Sequence, residues 1–297
     1  MIVRLEKHLL IVILVEEINM NEVAANEYLN IRGITIMERY FSYDKNIYKK
    51  DITSQINLIV ELHKTLIGCN FNELSRLKST IGKEVESYKV QIKKLQSHYD
   101  YILSRTCANE VEKLILSNGK IALKQAKEAL NYIYEHDYFG VIKRSMNREE
   151  ICIGKVDSSN LRKNGDQIEI GIVKAMAYNL VEEDLYSYIK KLQRKQVNID
   201  EEELIKIFVY GSHLSFNSFH YLRGLCSYPK DFLKLWERYM DRNKKMINQI
   251  NVEKINSIYN EMDMLNEKYR GNKKDKTNEE ILLDMEKSLV YESKKFI

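Results

Sequence analysis

Apolar residues recur at three- and four-residue spacing along most of this chain, and one stretch, ICIGKVDSSNLRKNGDQIEIGIVKA at residues 151 to 175, breaks that rhythm. A helical body interrupted once by a β segment is a narrow set of folds. Ile151, Ile153 and Val156 on one side, and Ile168, Ile170 and Ile172 on the other, are placed for two short strands with Asn164-Gly165 as the turn between them. Around this hairpin the helical pattern is continuous. Asp51 is placed to cap a helix whose Ile56, Ile59, Val60 and Leu66 share one face and which Gly68 ends. Two Lys- and Glu-rich amphipathic stretches, 72 to 105 and 108 to 137, are predicted to pack as an antiparallel pair with solvated charged faces. Further helices are predicted near 176 to 195, 200 to 210, 213 to 225, 229 to 247 and 251 to 270. Asp200 and Glu203 have the spacing of a capping box, and the single proline, Pro229, sits where a first helical turn tolerates it.

Composition removes several function classes. The chain has 297 residues, enough for one large or two modest domains. Lys+Arg 47 against Asp+Glu 43 leaves a formal charge of +4 without segregation, so no nucleic-acid partner is expected. Cys69, Cys107, Cys152 and Cys226 form no C-x-x-C pair, and His8, His63, His98, His136, His213 and His220 show no ligand spacing. Neither disulfides nor a metal are expected, and the compartment reads as reducing. The apolar run HLLIVILV at 8 to 15 falls short of the roughly 20 residues a membrane helix needs, and no cleavage site follows it. It suits a buried strand, in a protein expected to be cytoplasmic and without a membrane span.

Residues 153 to 175 resemble, in spacing, the catalytic segment of aminoglycoside phosphotransferase and choline kinase-like enzymes. There a His-Gly-Asp motif precedes an Asn and then a strand ending in Asp-Phe or Asp-Trp. Here Ile153-Gly154-Lys155 stands at the first motif, Asn160 at the Asn, Gly171 at the later Asp, and Lys174-Ala175 matches a Lys-Ala that often follows. EEDLYSYIKK, Glu182 to Lys191, resembles the D-L-Y-x-F-I-R-K helix of the bacterial spore-coat branch of that superfamily, the CotS type. YLRGLCSYPKDFLKLWERYMDRNK at 221 to 244 resembles the same branch's L-S-Y-P-x-x-F region.

The resemblance implies a mainly α protein: a kinase-like C-lobe helical body with a small β-hairpin and a truncated remnant of the N-terminal β segment. Residues 1–50 would be the remnant of N-lobe and hinge, with ITIMERYFSYDK at 34 to 45 as hinge strand and linker. Residues 51–270 would be the C-lobe-like domain, and 271–297 a polar linker and terminal helix. No glycine-rich loop or V-A-I-K-like strand occurs in the first 50 residues.

In the family, the Asp of the first motif accepts the substrate hydroxyl proton, and the Asn and later Asp hold magnesium against the phosphates. Lys155 cannot be that base and Gly171 offers no ligand; only Asn160 survives. Asp157 as a replacement base is disfavoured, because it lies on the other side of an extended backbone or a turn away. Ile153, Gly154, Lys155, Asn160 and Gly171 are therefore read as a vestigial loop, with no catalytic residue, cofactor or metal expected. The expected role is that of a non-catalytic pseudokinase-like protein, a structural or interaction protein in sporulation with protein partners such as other spore-coat proteins, at the coat or in the cytoplasm. The alternative is an active small-molecule phosphotransferase using ATP and magnesium through unrecognised or partner-supplied residues. Tyr221, Tyr228, Phe232, Trp236 and Tyr239 follow helical spacing and suit a core. Tyr221, Arg223, Tyr228, Trp236, Arg238 and Tyr239 are also the candidate interaction surface.

Overall fold

The structure, a computed structural model, describes residue 27 and residues 29–42, 49–67, 77–106 and 108–242. The strand expected at 8 to 15, the helix at 251 to 270 and everything expected beyond 270 lie outside the described residues. The described chain is mainly helical. Its elements run β1 (Ile34–Ile36), α1 (Lys49–Leu66), α2 (Lys83–Leu103), α3 (Glu110–Glu135), α4 (Tyr138–Arg148), β2 (Ile151–Cys152), β3 (Leu161–Asn164), β4 (Gln167–Ile170), β5 (Ala177–Tyr178), α5 (Glu182–Arg194), α6 (Glu201–Gly211), α7 (Phe216–Ser227) and α8 (Lys230–Arg242). It divides into two units, one drawn from the residues up to Ile81 and from Phe139–Phe219, the other from Gly82–Tyr138 and from His220 onward. No helix among the described residues is long and apolar enough to cross a membrane.

In the first unit α1 carries the core. Ile52, Ile56, Ile59, Leu62 and Leu66 recur at three- and four-residue spacing and are all buried, each side chain contributing about 1.5–3 kcal/mol. The helix packs against α5, α6, β2 and β3. The hairpin is narrower than the sequence suggests: β3 and β4 pair antiparallel, Leu161 opposite Ile170 and Asn164 opposite Gln167. β1 joins them as a third strand, parallel to β4, with Ile34 opposite Ile168. β2, expected to face β4, instead pairs with β5, Ile151 opposite Tyr178. The intervening loop explains this, because Asn160 and Leu161 both donate their backbone N–H to the Asp157 carbonyl (2.8 and 2.9 Å), closing a turn where the first strand would have continued.

Two predicted helices begin later than their apolar period suggests, for one shared reason. Ser79 bridges to Tyr178, with the Thr80 N–H donating to the Tyr178 carbonyl (2.9 Å) and the Tyr178 N–H to the Lys78 carbonyl (3.0 Å). Both segments are thereby held extended, and α2 and α5 start only beyond them. At α6, Asp200 accepts from the N–H groups of Glu202 and Glu203, as the capping reading requires. The Glu203 carboxylate, however, pairs with Lys49 at 2.9 Å.

In the second unit α2 and α3 are antiparallel: Lys127 reaches Gln96 (3.0 Å) and Arg105 reaches Glu112 (2.8 Å). Their outer faces are solvated, with Lys120, Lys124 and Glu128 exposed. Asn109 and Glu112 form a complete capping box at the start of α3. α8 packs on both helices, its Trp236 indole donating to His98 Nδ1 at 2.9 Å. Tyr228 stacks on Tyr88 with ring centroids 3.7 Å apart.

Candidate functional site

Position 160 is the centre of the loop. Asn160 is completely buried, and its side chain acts as a cross-brace: Nδ2 donates to the Lys155 carbonyl (2.9 Å) and the Ile172 carbonyl (3.1 Å), while Oδ1 accepts from the Ile172 N–H (2.7 Å). The Asn160 carbonyl accepts from the Gly171 N–H (2.8 Å). The spacing read from sequence thus brings 155, 160 and 171 together, as a crosslinked turn. Gln55 of α1 holds it from below, donating to the Val156 and Leu161 carbonyls at 2.7 and 3.1 Å.

The chain at 37 to 41 lies across the same place. Met37 donates to the Ile170 carbonyl (2.9 Å) and Phe41 to the Ser159 carbonyl (2.8 Å), and Arg162 stacks on the Phe41 ring at 4.0 Å. Between those two bonds the Arg39 carbonyl points at Gly171. A β-carbon there would stand 2.6 Å from the Arg39 oxygen and 2.8 Å from Asn160 Oδ1, closer than real atoms approach. Only glycine fits.

These residues do not fit a magnesium ion. Lys155 brings a positive charge, Gly171 has no oxygen donor and no room for one, and the Asn160 oxygen is committed to Ile172. Asp157 is held by its own neighbours. Its carboxylate accepts from the Ser159 N–H (3.0 Å) and hydroxyl (2.6 Å) and is ion-paired with Lys191. Burial opposes its ionisation, but the bonds from Lys191 and Ser159 outweigh burial and hold the carboxyl below its ordinary value. Lys155 extends over the exposed ring of Tyr40, 3.5 Å from its centroid.

Under the loop sits Asp184, in the first turn of α5. Its two oxygens accept the N–H groups of Ile153 (3.1 Å) and Gly154 (2.9 Å), and Nε2 of His63 lies 3.0 Å from the same carboxylate. The Cys152 thiol is beside them, donating to the Leu180 carbonyl at 3.1 Å. Burial, reinforced by Asp184, pushes that thiol well up from its ordinary value. Two residues before Asp184, Glu182 takes both arms of the Arg144 guanidinium (2.7 and 2.9 Å), which also reaches Glu150 (2.9 Å) and the Ser218 hydroxyl (2.6 Å). The segment matched as D-L-Y thus opens with two buried carboxylates. Sequence reasoning gave Asp184 no role; its signal was the acidic run Glu182, Glu183, Asp184 opening a helix directly after the hairpin. His63 and Arg39 carried no signal in sequence, since what they do depends on chain segments far away.

The candidate interaction residues fall in the second unit. Tyr221, Tyr228, Trp236 and Tyr239 are buried, which agrees with their helical spacing and leaves no ring face for a partner. Arg223 is half-buried, lying over Tyr132 with its guanidinium 5.7 Å from the ring centroid, and Arg238 is exposed.

No family model matches this sequence, and no curated protein matches it. Among solved structures the chain is similar to an aminoglycoside phosphotransferase from Alicyclobacillus acidocaldarius subsp. acidocaldarius, with a TM-score of 0.60 at 10% identity, covering 92% of this chain and 83% of that one. The chain therefore has the fold of an aminoglycoside phosphotransferase, a kinase-like fold.

Proposed function

We propose that this chain is a non-catalytic, pseudokinase-like protein that keeps the phosphotransferase fold as a scaffold for protein partners, with spore-coat assembly as its setting. One observation carries the reading: the Arg39 carbonyl and the Asn160 amide fill the space that a side chain at 171 would need. The loop is braced for rigidity, and each group that could have held a metal or moved a proton is either absent or committed to the fold. The cytoplasm, and then the coat, follow from the resemblance of Glu182 to Lys191 and of 221 to 244 to the spore-coat branch.

The full-length protein should show no magnesium-dependent thermal stabilisation by ATP or GTP and no phosphate release from either. A nucleotide at 100 times its dissociation constant would add about 2.7 kcal/mol, so a null result is readable. Stabilisation that requires both nucleotide and magnesium would favour the second reading, an active small-molecule phosphotransferase, the activity for which the structural neighbour is named. The sporulation role is tested separately by a fluorescent fusion in sporulating cells. A signal that stays diffuse while coat layers form would remove it.

A further inference from the structure

We propose that His63, Cys152 and Asp184 form a buried site for a divalent transition ion of the zinc class. The three side chains come from α1, β2 and the first turn of α5, are 2%, 4% and 1% exposed, and present an imidazole nitrogen, a sulfur and a carboxylate oxygen within 4.8 Å of one another. Thiolate with imidazole and carboxylate is a donor set for zinc rather than for magnesium or calcium, which take oxygens. Donors around a tetrahedral zinc stand roughly 3.3–3.8 Å apart, given bonds of about 2.0–2.3 Å. The widest pair therefore closes by about 1 Å on binding.

Three further features distinguish this cluster from an ordinary core histidine. The carboxylate is already aimed, because the N–H groups of Ile153 and Gly154 hold its two oxygens, the outer-shell support that metal-binding carboxylates use. A fourth donor is adjacent: the Leu180 carbonyl, which accepts the Cys152 S–H at 3.1 Å, is released when the thiol loses its proton. The cluster is also incomplete as a hydrogen-bond network, since among the described residues Nδ1 of His63 is buried with no partner, an arrangement buried polar atoms rarely adopt.

The charges close. One divalent ion meets one thiolate, one carboxylate and a neutral imidazole, so the bound site is uncharged, as a sealed interior requires. The only proton displaced is the Cys152 thiol proton, which goes to solvent. Sequence spacing could not show such a site, because the ligands lie on three separate segments. With no donor exposed, the ion enters during folding rather than after it. The site is independent of the reading of the loop above it.

The test is to unfold the full-length protein under reducing conditions and refold it with Co²⁺ as probe. A thiolate-to-cobalt charge-transfer band should grow to a limit at one cobalt per chain, with visible bands of four-coordinate intensity. Zn²⁺ should bleach both. Cys152→Ser, which keeps a donor toward Leu180, should abolish the charge-transfer band, and Cys69→Ser should leave it unchanged. A second measurement needs no variant: wild type refolded with Zn²⁺ should release one proton per chain, and at 100 times the dissociation constant its folding equilibrium should shift about a hundredfold. Absence of the band in the wild type, or an identical band in Cys152→Ser, overturns the proposal and leaves the cluster as a hydrogen-bonded core.

Discussion

The backbone oxygen of Arg39 faces Gly171 so closely that a β-carbon at that position would lie 2.6 Å from it. Position 171, which the resemblance aligns with a metal-binding Asp, is therefore closed off by the segment from Met37 to Phe41, itself fixed through the backbone bonds of Met37 and Phe41. Gly171→Asp should not restore a function; it should push the linker away or strand a carboxylate against two oxygens. The expected cost is about 3 kcal/mol, read as a lower denaturant midpoint at unchanged slope. A variant within about 0.5 kcal/mol of wild type would mean that the linker moves freely and that the loop is not sealed.

Asn160 supplies the second prediction, because one side chain makes three bonds to backbone groups inside a fully buried turn. Asn160→Asp keeps the shape but puts an acceptor against the Lys155 and Ile172 carbonyls. Charge-assisted mismatches of this kind cost about 3 kcal/mol, and Asn160→Ala about 2 kcal/mol. If Asn160 served a nucleotide instead, either change would leave the unliganded protein's unfolding curve nearly in place. The measurement is chemical denaturation without ligand.

The contrast between these residues and their neighbours shows what the sequence could carry. Helices α1, α3, α6 and α8 were legible because their apolar residues repeat within one segment; Asp200 caps α6 as expected, whereas Asp51, expected to cap α1, lies inside that helix, which already includes Lys49. The grouping of 155, 160 and 171 was also legible, through the resemblance in spacing to the phosphotransferase segment. Strand pairing was not: β2 chose β5 over β4 because a turn at Asp157 intervened, and Ser79 was drawn into an extended bridge by a residue far along the chain. The burial at the start of α5 was not legible either: Glu182 and Asp184 stand in an acidic first turn, yet each is buried beside a partner, Arg144 or His63, that local sequence does not reveal.

Arg144 makes that burial testable. It serves two carboxylates, Glu150 and Glu182, that are almost entirely buried. Burial disfavours its charge, but the two carboxylates outweigh that and raise it above its ordinary value. Arg144→Ala would leave Glu182 uncompensated and Glu150 with only Arg148, 4.0 Å away, at an expected cost of about 3–5 kcal/mol, the range for breaking a buried pair. Removing the charges together, in Arg144→Met with Glu150→Gln and Glu182→Gln, should recover a large part of that loss. If the triple variant is no more stable than Arg144→Ala, the network is not acting through charge.

The pair between Asp157 and Lys191 gives a pH prediction whose direction is fixed. Asp157 has a folded-state value below its unfolded one, so its contribution is fully present above the unfolded value and is lost as pH falls through the folded one. Stability should therefore fall in acid, below about pH 4, by an increment that Asp157→Asn removes. Unfolding free energies of the two proteins should lie furthest apart near neutrality and converge toward pH 2. A constant difference across that range would mean that the carboxylate is not stabilised by its charge.

Lys155 decides whether the altered loop is only sealed or has taken on a new task. A solvated lysine would leave stability unchanged on truncation, within about 0.5 kcal/mol. Here the ammonium group lies 3.5 Å from the centroid of Tyr40, on the linker that closes position 171. That contact adds a term for Lys155→Ala of about 0.5–1 kcal/mol, the range for an exposed cation–π pair. Tyr40→Leu should cost a similar amount, and in a double-mutant cycle the two losses should overlap, because removing either partner already breaks the one contact. A pull-down from cells expressing the chain should capture the same proteins with wild type and Lys155→Ala, since on this account the lysine faces its own linker. If the cycle instead shows additive losses and Lys155→Ala removes a captured protein at unchanged thermal stability, the ammonium group is working on a partner, and the loop from Ile153 to Asn160 is an interaction site.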